Sequence, residues 1–347
     1  MKDQARLRNM AVACLTMLVL GVPGLSNADD DSGFRQLFIF GDSLSDTGNL
    51  AAGIGGLPDP PFYKGSRVSN GPVGVEILAD RLGLTAEASL HLFSLNAGSN
   101  YAVAGARAIS SQSIDLSTQI TLFLANHGYV APSDALYVMF IGGNDLRDAR
   151  GVVGPSGDLV VPSRAKAKVI VRNAANGVRN AIESLAQAGA HRFLLINSPN
   201  IGSIPETQLL ADAINEPGLV KRARKISRQY RNRLHKIAEQ LDDENGIEIV
   251  EFDLFKFFKM LLRKADHLGF TNTTDACFSS ISFMFHVDCN FGANFDQFIF
   301  FDEIHPTARV HALVGEALFE AIEEDDDDDD DDDRHHKKDR HHDDDDD

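Results

Sequence analysis

Between residues 36 and 322 the chain alternates short, near-continuous apolar runs with longer stretches in which apolar residues recur every three or four positions. The runs at 36–40, 135–141, 192–197 and 247–252 predict strands buried on both faces, with a fainter one at 94–97. Helical spacing is clearest at 73–82, 165–188, 219–241, 255–264 and 308–322. Strands without polar alternation, separated by long amphipathic helices, predict a mainly parallel sheet covered on both sides, a three-layer α/β/α domain. The Gly- and Pro-containing stretch at 51–70 reads as a surface insertion, and no internal repeat is visible.

The two ends break this pattern. Lys2, Arg6 and Arg8 precede an apolar run at 10–22, followed by small residues up to Ala28. That order predicts a secretory signal peptide, residues 1–28, and a secreted or periplasmic mature chain. The run is shorter than the roughly 20 residues that span a bilayer, so a retained anchor is the lesser alternative. Residues 323–347 form an Asp/His-rich tail with little to bury, and disorder is expected there. Its His-His pairs could hold divalent cations weakly, but a solvated acidic tail is the simpler reading. A single domain is therefore expected over 29–322, and 43% hydrophobic content is enough for one sizeable core.

Net charge changes the picture once it is divided. The chain carries −18, but 323–347 hold 17 acidic and four basic residues, and 1–28 carry +2. The body is left at −7, with no basic stripe to neutralise phosphates, which argues against a nucleic-acid partner. With Cys14 removed in the signal peptide, Cys277 and Cys289 remain, and in an exported chain such a pair predicts a disulfide. Two free buried thiols are the alternative, and a metal site is not indicated.

The candidate chemistry lies where predicted strands end. The first runs into Phe38-Ile39-Phe40-Gly41-Asp42-Ser43-Leu44-Ser45-Asp46-Thr47-Gly48-Asn49, which puts Ser43 in a tight turn at the carboxyl edge of the sheet, where open α/β folds bind ligands. Serine is also common in turns for local hydrogen bonding, so this motif alone decides nothing. Far downstream, Asp302-Glu303-Ile304-His305-Pro306-Thr307 supplies an imidazole and a carboxylate three residues apart. Pro306 holds His305 extended, and Thr307 can cap the following helix. Ser43, His305 and Asp302 could act as nucleophile, base and orienting carboxylate, although for the second motif taken alone an acidic helix-capping loop is the simpler reading. Ile141-Gly142-Gly143-Asn144-Asp145 offers an amide donor, Asn144, for a developing oxyanion. Asn100-Tyr101-Ala102-Val103-Ala104-Gly105-Ala106 offers the backbone N–H of Gly105. A turn and a tightly packed junction are the respective alternatives.

With all four motifs in one chain and in this order, it resembles the SGNH hydrolase superfamily, the GDSL esterases and lipases. It is most similar to the branch with secreted lipases, phospholipases, haemolysins and acyltransferases. The resemblance implies a flavodoxin-like fold, a Ser43, His305 and Asp302 triad, and an oxyanion hole from Ser43, Gly105 and Asn144. It implies no metal and no cofactor. The Gly-x-Ser-x-Gly elbow of α/β-hydrolases and the glycine-rich loops of dinucleotide and nucleoside triphosphate sites are absent.

The expected activity is hydrolysis of lipid or short-chain carboxylic esters, on a small-molecule or lipid substrate with possible peripheral contact to lipid surfaces. An acyltransferase and a non-catalytic exported binding protein are the alternatives, and oligomeric state stays open. The acyl pocket is expected to be lined by the insertion after Asn49 and by the aromatic stretch at 278–301. Phe283, Phe285, Phe291, Phe295, Phe298 and Phe300 in that stretch read first as packing residues and second as a lipid-facing surface.

Overall fold

A computed structural model describes residues 33–57, 63–154, 157–245 and 247–338. The expected signal peptide, residues 1–28, lies outside the described residues. In chain order the elements are β1 (Gln36–Gly41), α1 (Asn49–Ile54), α2 (Gly74–Arg81), α3 (Leu116–Asn126), β2 (Ala135–Phe140) and α4 (Gly143–Arg150). A small hairpin follows, β3 (Val152–Val153) with β4 (Leu159–Val160), then α5 (Arg164–Gln187), β5 (Arg192–Ile196), α6 (Pro205–Ala213), α7 (Gly218–Asn245), β6 (Glu248–Phe252) and α8 (Leu254–Arg263). The last elements are β7 (Asn272–Ala276), the hairpin β8 (Phe278–Ser279) and β9 (Met284–Phe285), β10 (Phe298–Phe300) and α9 (Ala308–Lys338).

Four strands form a parallel sheet in the order β1, β2, β5, β6. All six residues of β2 are buried, as are five of six in β1, which explains their unbroken apolar character. Helices cover both faces: α3, α5 and α7 pack in one group, α2 and α9 in another. In α7 the buried residues Leu219, Ala223, Ile226, Tyr230, Leu234 and Leu241 follow a helical stripe.

The four main strands lie where the hydrophobic pattern put them, but the faint strand at 94–97 does not form. The chain instead reaches β1 at Ser99–Val103: Ile39 N–H donates to Ser99 (3.1 Å), Tyr101 N–H to Ile39 (2.7 Å) and Val103 N–H to Gly41 (3.2 Å). Glycine and asparagine dominate this approach, so no apolar run marked it. After β1, then, the chain passes to one flank and returns to β2 on the other. Strand order reverses at β1, the kind of point where open α/β sheets open a crevice. Register aligns the carboxyl ends Gly41, Phe140, Ile196 and Phe252.

The last helix, α9, runs to Lys338. Its last buried residue among those described is Ile322, so the apolar stripe stops where the sequence put it.

Candidate active site

Gly41 ends β1 in a clasp. Its N–H donates to Gln119 Oε1 (3.0 Å), and its carbonyl accepts from Gln119 Nε2 (2.9 Å). The next turn winds on Asp42, whose carbonyl accepts from Ser45 and Asp46 N–H and whose Oδ1 accepts from Leu44 N–H (3.1 Å). Ser43 sits on this turn, 9% exposed. Asp46 then gathers four backbone donors: Gly48 (2.8 Å) and Asn49 (2.7 Å) on Oδ1, Leu50 (3.0 Å) and Ala104 (2.8 Å) on Oδ2. Asn49 and Asn100 complete the fastening. Asn49 Nδ2 donates to the carbonyls of Asn100 and Ala102, and Asn100 Nδ2 to that of Ser45. The Ser43 turn and the Gly105 segment are thus one hydrogen-bonded body.

The second half comes from β10 and the loop before α9. Asp302 Oδ1 accepts from the backbone of Ile304 (2.8 Å) and His305 (2.7 Å), folding residues 302–305 into a tight turn. His305 Nδ1 faces both oxygens of Asp302 (2.9 and 2.8 Å), and Nε2 lies 2.8 Å from Ser43 Oγ. The three side chains predicted to meet do so across 262 positions of sequence. An anionic carboxylate accepts the proton on Nδ1, which leaves Nε2 as the basic nitrogen facing the hydroxyl.

The remaining predicted donors flank the serine turn. Gly142 leads into α4 with φ +115°, and a Cβ there would meet the Tyr230 hydroxyl oxygen at 2.4 Å, so only glycine fits. Asn144 follows in the first turn of α4, with Nδ2 donating to the Ala106 carbonyl (3.0 Å) and Oδ1 accepting from Arg147 Nη1 (3.0 Å). Arg147 has no acceptor to offer, so this contact fixes which way the amide faces. Gly105 adopts φ +89°, a left-handed conformation suited to glycine. The N–H groups of Ser43 and Gly105 donate to no other group among the described residues.

Charge around the site is closely balanced. Burial raises Asp42 to about 6, against the pull of the Leu44 N–H and the charge of His305. Burial also disfavours charge on Glu206, but the hydrogen bond from Arg147 and the charges of Arg147 and Arg150 outweigh it and hold Glu206 below its ordinary value. Burial, reinforced by the charge of His305, pushes His311 down to about 3. That ring is neutral, with Nδ1 accepting from Gly74 N–H (3.1 Å).

An apolar cleft opens from Ser43 and His305 toward Ile201, Ile204, Leu254, Phe258, Val310 and Val314. This corrects the expected pocket. Among the described residues the insertion at 51–70 supplies none of the lining, and of the stretch at 278–301 only Phe300 takes part. The wall comes instead from the loop after β5, from α8 and from α9, whose apolar faces are indistinguishable in sequence from ordinary core. Asp46, Asn49, Asn100, Gln119 and Arg147 also went unassigned. The first three lie inside quoted motifs, whereas Gln119 and Arg147 carry no sequence signal. Cys277 and Cys289 are paired, with Cα atoms 5.3 Å apart, a separation typical of disulfides.

The structure is a parallel α/β/α sheet with serine, imidazole and carboxylate linked by hydrogen bonds at its carboxyl edge. A family model described as GDSL-like Lipase/Acylhydrolase matches residues 37–318, and the chain belongs to that family. Among curated relatives, the phosphatidylcholine-sterol acyltransferase of Aeromonas hydrophila is 26% identical over 264 residues, 72% of this chain and 68% of that protein. A GDSL esterase/lipase of Arabidopsis thaliana is 24% identical, covering 88% of this chain and 90% of its own length. Lipase 1 of Photorhabdus luminescens is 29% identical over 196 residues, 55% of this chain, which spans about a quarter of that lipase (26%).

Proposed function

We propose that the chain is an exported serine esterase that hydrolyses lipid or short-chain carboxylic esters through an acyl-enzyme. The observation that carries this reading is the continuous relay of Asp302, His305 and Ser43, with 2.8 Å between imidazole and hydroxyl, opening on an apolar cleft. Ser43 Oγ attacks the ester carbonyl while His305 Nε2 takes its proton. Charge then builds on the carbonyl oxygen, where the Ser43 and Gly105 N–H groups and the Asn144 amide donate. Asp302 stabilises the imidazolium, which returns its proton to the departing alcohol. Water enters, gives a proton to His305 and attacks the acyl carbon; Ser43 leaves with that proton and the free acid departs.

A second reading replaces water by an acceptor alcohol, which makes the chain an acyltransferase. The relative named as an acyltransferase favours it. Both share the same first step, so the test follows the product. Incubating a labelled ester with excess long-chain alcohol should give free acid for the hydrolase and a new ester for the transferase. Ser43→Ala should lower either rate by about 10⁴-fold or more and abolish covalent labelling by an organophosphonate. Retained turnover in that variant removes the assignment. The expected leader and the Cys277–Cys289 pair support export.

A further inference from the structure

The segment between residues 278 and 295 is unlike the rest of the surface. Ile281, Phe283, Met284, Val287 and Phe291 are 76, 63, 67, 85 and 83% exposed, five large apolar side chains within eleven residues. Four ride on the β8–β9 hairpin and the turn after it, a loop that Cys277 and Cys289 close at the base, and Phe291 follows two residues past Cys289. The rings form a chain, Phe283 on Phe278, Phe278 on Phe285, and Phe285 on Phe291, with centroids 5.5 to 6.3 Å apart. Phe283 and Phe291, two of the five, also hold left-handed backbone, at φ 56° and 53°. Strain and solvent exposure at the same two phenylalanines are both unfavourable for a chain alone in water.

The root of this segment is tied to the candidate site. Ser280 donates through N–H (3.0 Å) and Oγ (2.6 Å) to Glu303, the neighbour of Asp302. Phe278 packs on Phe301, whose N–H donates to the His305 carbonyl. A surface gripped by the hairpin is therefore held beside the histidine turn.

We infer that this stapled apolar segment is a docking surface for an uncharged or zwitterionic lipid layer, inserting Phe283, Met284, Val287 and Phe291 among the acyl chains and headgroups. The inference rests on the proposed lipid-ester activity for its purpose, but it is carried by exposure, strain and charge. Charge selects the partner: between residues 271 and 301 the sequence has three aspartates and no lysine or arginine, and Asp275, Asp288 and Asp296 are all exposed. An anionic membrane would be repelled, whereas a phosphatidylcholine surface would not. Area argues against a protein partner. Five such side chains offer roughly 600 Å², less than the ~800 Å² per partner usual in a stable interface, while a lipid layer takes up single side chains separately.

The test uses the purified full-length chain and phosphatidylcholine vesicles. Because the sequence has no tryptophan, Phe291→Trp gives a reporter without background, and its emission should shift to the blue on phosphatidylcholine vesicles and less on phosphatidylglycerol vesicles. A fourfold variant, Phe283→Ser, Met284→Ser, Val287→Ser and Phe291→Ser, should partition at least about 100-fold more weakly. It should hydrolyse a water-soluble p-nitrophenyl ester at the unaltered rate. Unchanged partition of the fourfold variant, preference for the anionic vesicles, or concentration-dependent self-association abolished by the same four changes would each overturn the inference. If the unaltered chain bound vesicles but cleaved no soluble ester, the esterase reading would fail and the docking surface would stand.

Discussion

The serine turn and the stapled segment are two loop regions held by opposite means. Around Ser43, buried carboxylates and amides satisfy backbone donors one by one: Asp46 takes four, and Asn49, Asn100 and Gln119 take or give most of the rest. Around Phe283 and Phe291 a covalent link closes the base, and apolar rings face water. The first arrangement fixes atoms to fractions of an ångström, which proton transfer requires. The second fixes a shape but spends little on internal order, as suits a surface that completes itself on a partner. Precision and stickiness thus occupy neighbouring loops with separate supports.

If the supports are separate, changes should separate too. The largest effect is expected at Asp46. Asp46→Ala strands four backbone donors in the interior and should cost about 3–5 kcal/mol of unfolding free energy. Because Ala104 is one of the four, the rate on a soluble ester should fall as well, read as kcat at saturating substrate. A stable, fully active variant would break the claim that this carboxylate joins the two segments.

Asp42 gives a smaller effect with a definite sign. Burial raises its pKa from 3.8 to about 6, so the folded state keeps a proton that the unfolded chain has released. Its contribution to stability is therefore lost as pH rises from about 4 to about 6, by about 3 kcal/mol, and is level above that window. Denaturant midpoints of the unaltered chain and Asp42→Asn, measured across that range, should diverge; parallel curves would sink the assignment.

Smallest is the staple. Cys277→Ser with Cys289→Ser should lower stability by about 2–3 kcal/mol from loop entropy, with soluble-ester turnover unchanged. Loss of that turnover would show the two regions to be more closely joined than their hydrogen bonds suggest.

Most of the fold was legible because buried parallel strands write themselves as apolar runs, and four of the five expected strands formed. The edge at Ser99–Val103 was hidden because its pairing is carried by backbone and asparagine amides. The short α4 was hidden too, since Gly-Asn-Asp-Leu-Arg-Asp-Ala-Arg has too few apolar positions to show a period. At the site, Ser43, Asp302 and His305 were readable from motifs whose residue types the chemistry demands. The cleft was not: Leu254, Phe258, Val310 and Val314 belong to helices whose apolar stripes serve core and cleft alike.

The insertion at 51–70 was expected to shape the substrate pocket, but its far end does something else. Ser69 Oγ donates to the Pro306 carbonyl (3.0 Å), and Asn70 Oδ1 accepts from Ala308 N–H (2.8 Å), so the two contacts bracket Thr307, two residues after His305. An engineer who grafts a foreign stretch here to retune chain-length preference would also be loosening the brace on the imidazole, and would see turnover drift.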